Sequence, residues 1–202
     1  MVPNRNMYFD PVSPLISKDR FHKFDWEDFY PDSKEEIPDD MPEPRGKIMI
    51  THCFVDANHS TDKVTRRSQT GILIFFNRSP ILWLSKIQNS VESSTFGSEF
   101  TALKNAVDLV TALRYKLRMF GVPINSPTEM FCNNKAVYRN SSTPELVIHK
   151  KHHSVTYHNC PEAVASGICC IAKEDTETNL ADIFTKVIPG PRRERLLDMF
   201  TY

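Results

Sequence analysis

Cys53-Phe54-Val55-Asp56-Ala57-Asn58 decides how the rest of the chain is read. Three non-polar residues run straight into an aspartate, the pattern of a buried strand that delivers one carboxylate to its end. A carboxylate in that position is costly to leave bare and calls for a cation, a donor or water. Working outward, residues 48–57 form a first strand and Gly71-Ile72-Leu73-Ile74-Phe75-Phe76 a second. Asn77-Arg78-Ser79-Pro80 is a tight turn into a third strand, Ile81 to Ser85, so an antiparallel hairpin lies beside the first strand.

From Thr95 to Phe120, apolar residues recur at spacings of three and four: Phe100, Leu103, Ala106, Val107, Val110, Leu113, Leu117 and Phe120. This predicts an amphipathic helix, capped by Ser93, Ser94 or Thr95 and stopped by Gly121 and Pro123. Thr128 to Cys132 is a fourth strand, and a short helix begins at Ala136. Residues 149–167 make a helix and Ile168 to Ala172 a last strand. A helix starts at Asn179, and residues 192–200 form a final one with Leu196, Leu197 and Phe200 inward. The order β-β-β-α-β-α-β-α implies an α/β domain. Its mixed five-stranded sheet has three antiparallel strands, then helix-linked strands, with helices on its faces.

The chain has 202 residues, 40% of them hydrophobic, and no apolar run long enough to span a membrane. Its start carries no apolar core of signal-peptide type, so an intracellular setting is expected, cytoplasm and nucleus being indistinguishable. Residues 1–46, punctuated by seven prolines, read as an extended, partly disordered leader that connects from something upstream; residues 47–202 are the domain. Twenty-five basic residues balance 25 acidic ones, but the acid is concentrated in residues 24–44 and leaves a basic body suited to phosphates. Five cysteines without a C-x-x-C pattern read as free thiols. Trp83, Phe75 and Phe76 read as core.

Asp56, Glu99, position 133 and Asp182 fall at strand ends and helix starts that this topology can bring together. Hard divalent ions need such carboxylates, although helix starts favour acidic residues for other reasons. His149, His152, His153, His158 and Cys160 crowd one helix, better explained as a solvated or nucleic-acid-facing surface than as a zinc site. Arg66, Arg67, Lys150 and Lys151 can touch phosphates or be ordinary surface charge.

Several motifs occur in order: Phe54-Val55-Asp56-Ala57, Arg66-Arg67-Ser68-Gln69-Thr70-Gly71, Pro80 through Gln88, Ser94-Thr95 through Glu99-Phe100, Lys151-His152-His153 through Tyr157-His158, and Leu180-Ala181-Asp182-Ile183-Phe184-Thr185-Lys186. Together they resemble the ribonuclease H domain of copia-type retrotransposon polyproteins, over about residues 50–200, with the leader resembling the connection after the reverse transcriptase. The resemblance implies an RNase H-like fold, an endonuclease that hydrolyses RNA in RNA–DNA hybrids, and two Mg²⁺ (or Mn²⁺) ions when active. It places the family's first, second and fourth carboxylates on Asp56, Glu99 and Asp182. The third, expected in Cys-Asp-Asn, falls on Asn133 within Cys132-Asn133-Asn134. An amide offers a carbonyl oxygen but no charge, so impaired catalysis is expected. A second departure is Asn58, where the family often has an Asp. The expected partners are an RNA–DNA hybrid and a reverse transcriptase domain. The alternatives are a non-catalytic nucleic-acid or protein binding module, or a non-functional retroelement relic.

Overall fold

The structure is a computed structural model and describes residues 20, 21, 24–143 and 154–199. Five strands form one sheet: β1 (Thr51–Asn58), β2 (Gln69–Phe76), β3 (Ser79–Ile87), β4 (Thr128–Cys132) and β5 (Cys169–Lys173), in the order β3-β2-β1-β4-β5. The pairs β1–β2 and β2–β3 are antiparallel; β1–β4 and β4–β5 are parallel. The central position of β1 explains its composition. A strand covered on both faces cannot alternate polar and apolar residues, and six of its eight residues are buried.

Helix α1 (Thr95–Met119) lies across one face, over Cys53, Val55, Ala57, Ile72 and Ile74. The opposite face carries Leu73 and Phe75 under Leu180, Ile188 and Leu196, with Phe54 packed against them. These come from a 3-10 turn at Leu180–Phe184 and from the last helix, Gly190–Asp198, here α4 after α2 (Lys135–Ser142) and α3 (Ser154–Ala165). Successive strand side chains alternate between faces, so Asp56 belongs to the side of Phe54, under the 3-10 turn. Gly71, its partner across β1–β2, lets that turn come close. A Cβ there would stand 2.6 Å from Thr185 Cγ2 and 2.8 Å from the Ala181 carbonyl oxygen.

Several expectations change. The segment from Asn179 is a 3-10 turn, not an α-helix. The turn before β3 is shorter than expected: Asn77 takes φ 53°, and Ser79 and Pro80 already pair with β2 at a register shift beside Phe75. Pro80 is tolerated because β3 is an edge strand. Trp83 is not core; it is 64% exposed on that edge. Phe75 is buried and Phe76 half-buried. Phe120 is 81% exposed, because the inward stripe at the end of α1 is carried by Arg114 and Arg118 instead of apolar residues. Ser94 is the cap of α1, its hydroxyl accepting from the Gly97 N–H. Four of the five free thiols are buried, and burial pushes Cys132 up to about 12. Residues 144–153 and Phe200 lie outside the described residues, so Lys150, Lys151, His149, His152 and His153 do too.

Residues 24–46 contain no helix or strand, yet they lie against the body. Glu35 forms paired ionic hydrogen bonds with Arg114 (2.6 and 2.9 Å) and with Arg118 (2.7 Å for one of two). The Tyr30 hydroxyl is 2.7 Å from His158 Nδ1. No described helix is long and apolar enough to cross a membrane.

Candidate active site

Asp56 arrives two residues before the end of β1, and its neighbours decide what it can do. One carboxylate oxygen, Oδ1, accepts from Lys186 Nζ at 3.0 Å and from the Asn133 amide at 3.3 Å; the other accepts from the Thr185 hydroxyl. Asn133 turns its NH₂ to Asp56 because an ionised carboxylate only accepts. Position 133 follows β4, which runs parallel to β1 with Cys132 opposite Val55, so strand register alone brings it beside Asp56.

Asp182, in the 3-10 turn, is as buried as Asp56; both are 0% exposed. Its Oδ1 accepts from Lys186 at 2.9 Å and its Oδ2 from Arg192 of α4 at 2.7 Å. Glu99 comes from the second turn of α1 and is 7% exposed. Its Oε2 accepts from the Ala57 N–H at 3.1 Å, which ties the helix to the residue after Asp56. The turn that carries Asp182 is itself fixed by Asn179, whose amide donates to Val55 O at 2.9 Å and whose oxygen caps Ala181 N–H. Asn58 Nδ2 donates to Thr185 O at 3.0 Å, so it holds the turn rather than facing the carboxylates. Thus the structure brings Asp56, Glu99, Asn133 and Asp182 to one end of the sheet.

Three carboxylates meet two cationic side chains here, so with all three ionised one negative charge would be uncompensated. The titration behaviour follows. Burial first, then the charge of Asp182, raises Asp56 above the usual carboxylate range, against Lys186 and Thr185. Burial and Asp56 push Glu99 up to about 8, against Lys186 and the Ala57 N–H. Lys186 is raised despite its burial, by Asp56 and Asp182. In a chelator, Glu99 keeps its proton in the fold where the unfolded chain has lost it. Its contribution is therefore fully present below about 4.5 and lost as pH rises through about 8. Denaturant midpoints measured from pH 5 to 8.5 in chelator should fall by an amount worth on the order of a few kcal/mol, and Glu99→Gln should remove most of that slope. A flat or rising profile would contradict this charge excess.

The residues suit a hard cation by chemistry: buried oxygen donors with surplus negative charge, lacking one carboxylate at position 133. As they stand, no three Asp, Glu, His or Cys side chains among the described residues are grouped so as to ligate one ion. Lys186 spans the gap instead. Arg66 and Arg67 are exposed on the 59–68 loop, which leaves β1 at the end where Asp56 lies. His59, on the same loop, has its ring nitrogens within 3.3–3.5 Å of Ser60, Ser68 and Ser98 hydroxyls. A cleft of about 760 Å³ between residues 30–36 and helices α1 and α3 is lined by none of the clustered carboxylates.

Lys186, Thr185 and Arg192 also enter the site, none of them expected from the sequence. The spacing of Lys186 four residues after Asp182 is the one signal that could have pointed to it, because such residues meet across a turn.

Comparison with known proteins bears on the fold. No protein-family model matches the chain. It is 26% identical over 142 residues, 70% of its length, to a retrovirus-related Pol polyprotein from transposon RE1 of Arabidopsis thaliana. It is 29% identical over 149 residues, 74% of its length, to that from transposon TNT 1-94 of Nicotiana tabacum. It superposes on RNase H1 of Halobacterium salinarum NRC-1 with a TM-score of 0.50 at 14% identity, covering 67% of this chain and 93% of that one. The chain has an RNase H-like fold and is similar in sequence to retrotransposon Pol polyproteins. A second RNase H-like structure, LC11-RNase H1 in complex with an RNA/DNA hybrid, superposes with a TM-score of 0.50 at 14% identity, over 68% of this chain and 93% of that one. The RNase H-like domain spans about a tenth of the length of the curated relatives it matches: 10% for RE1 and 11% for TNT 1-94.

Proposed function

We propose that this RNase H-like domain binds RNA–DNA hybrid and is a slowed metal-dependent ribonuclease, with Asp56, Glu99 and Asp182 as its cation-holding residues. The observation that carries this is the burial of three carboxylates at one end of the central strand of an RNase H fold, with charge in excess of their cationic partners. Bound Mg²⁺ or Mn²⁺ would supply Lewis-acid charge at the scissile phosphate and lower the pKa of an attacking water. The protein's part is to fix the donors. Thr185 orients Asp56, the Ala57 N–H orients Glu99, and Arg192 orients Asp182. Asn133 stands where a fourth carboxylate would complete the set, and its neutral amide weakens the hold on a second ion. Arg66 and Arg67, with Lys150 and Lys151, supply phosphate contacts. A reverse transcriptase domain is the expected neighbour in a longer polyprotein, in an intracellular setting.

A second function, hybrid binding without cleavage, is favoured by the Lys186 bridge, which neutralises two of the carboxylates without any metal. Labelled hybrid decides between them, incubated with the native chain and with Asp56→Asn in Mg²⁺ and in Mn²⁺. Slow cutting of the RNA strand that disappears in Asp56→Asn is the expected outcome. Salt-sensitive binding with no cutting in either metal leaves the binding module. Absence of both, in a chain that unfolds without a cooperative transition, leaves a relic.

A further inference from the structure

We infer that Lys186 is a tethered counter-cation that holds the place of a divalent ion between Asp56 and Asp182, and that a metal enters only when this ammonium leaves. This rests on the proposed metal-dependent function and concerns how the site passes between its metal-free and metal-bound states.

The geometry is specific. One Nζ lies 3.0 Å from Asp56 Oδ1 and 2.9 Å from Asp182 Oδ1, the only oxygen of each carboxylate not held by Thr185 or Arg192 among the described residues. The two acids have no exposed surface, so an ion that ligates both must use the space the ammonium fills. Lysine suits a displaceable role. Its charge sits on a flexible four-carbon stem, and the side chain is 31% exposed, so it can swing to water without moving the backbone. Arg192 does not suit it. Its guanidinium also bonds the Thr176 carbonyl and pairs with Glu177, so it is fixed at several points and stays on Asp182. Formal charge agrees. The cluster has three carboxylates against Lys186 and Arg192; replacing the ammonium by one dication leaves three positive charges against three negative. A second dication would leave a surplus of two positive charges, one more than with a carboxylate at position 133. The expected stoichiometry is one ion.

The test uses the full chain with Lys186→Met and Lys186→Arg, read by thermal melting in chelator and by calorimetric titration with Mg²⁺ and Mn²⁺. Lys186→Met removes the ammonium without shortening the stem. It should melt roughly 5 °C or more below the native chain in chelator, regain that loss in Mg²⁺, and bind one ion about tenfold tighter. Lys186→Arg keeps the charge and should stay stable in chelator. If Lys186→Met folds only with metal, the dication is substituting for the ammonium and the inference stands. A Lys186→Met protein that binds metal no tighter than the native chain, or that metal fails to restore, would overturn it. Hybrid cleavage is not read here, so failure of the nuclease proposal shows separately, in the hybrid assay.

Discussion

Asn133→Asp should raise RNA–DNA hybrid cleavage by on the order of 100-fold, the scale on which metal sites respond when a supporting group is changed. Position 133 sits directly beside the hub: its amide nitrogen is 3.3 Å from Asp56 Oδ1. The substitution conserves shape and adds a charge. In the metal-free fold that charge faces Asp56 at close range and loses the amide's donated hydrogen bond. The variant should therefore be less stable than the native chain in chelator, and more responsive to Mg²⁺. A fourth carboxylate also cuts the positive surplus that a second ion would bring from two charges to one, with Arg192 counted. Single-turnover cleavage of a labelled hybrid, native against variant, gives the ratio. Equal rates would mean that the amide is no obstacle and that the native chain is limited elsewhere.

Glu35→Ala should cost about 3–5 kcal/mol of stability, the usual result of removing one side of a buried charge cluster. Arg114 is 2% exposed and Arg118 8%, and the Glu35 carboxylate is the acid that pairs with both. Burial alone would push that carboxyl up, but hydrogen bonds from the two guanidinium groups hold it below its ordinary value. With Glu35 gone, Arg114 keeps the Ser126 carbonyl at 2.8 Å and the Thr128 hydroxyl at 3.3 Å, but no acidic partner among the described residues. For a chain of this size the melting temperature should fall by roughly 10 °C. Adding Arg114→Met to Glu35→Ala should return part of the loss, since a buried pair replaced by apolar groups is often neutral. A loss below about 1 kcal/mol would show the pairs to be ordinary surface bridges.

That cluster also shows where pattern reading of the sequence stops. Arg114 and Arg118 sit at helical spacing on the inner side of α1, where Leu117 and Phe120 were expected. Hydrophobic periodicity cannot register a guanidinium that is buried because a carboxylate 79 residues upstream reaches it. The sheet was legible because Cys53 to Val55 and Gly71 to Phe76 are apolar runs joined through a polar loop, and β3 follows an Asn-containing turn. Trp83 was misplaced for a related reason. An edge strand exposes alternate residues whatever their hydrophobicity. Asp56, Glu99 and Asp182 are ordinary acidic residues by pattern, and the ordered motifs, not spacing, singled them out. An Asn cap serves a 3-10 turn as well as an α-helix, so Asn179 does not tell the two apart. Lys186 was hidden because its meaning lies in a distance to Asp56, 130 residues away, which no local rule supplies.

The measurement that bears most directly on the carboxylate centre is paramagnetic broadening of backbone amides in the ¹⁵N-labelled native chain at substoichiometric Mn²⁺. The amides of Ala57, Asn133 and Asp182 should broaden first and together. Broadening confined to the acidic residues 24–44, with these three untouched, would contradict a metal centre at Asp56.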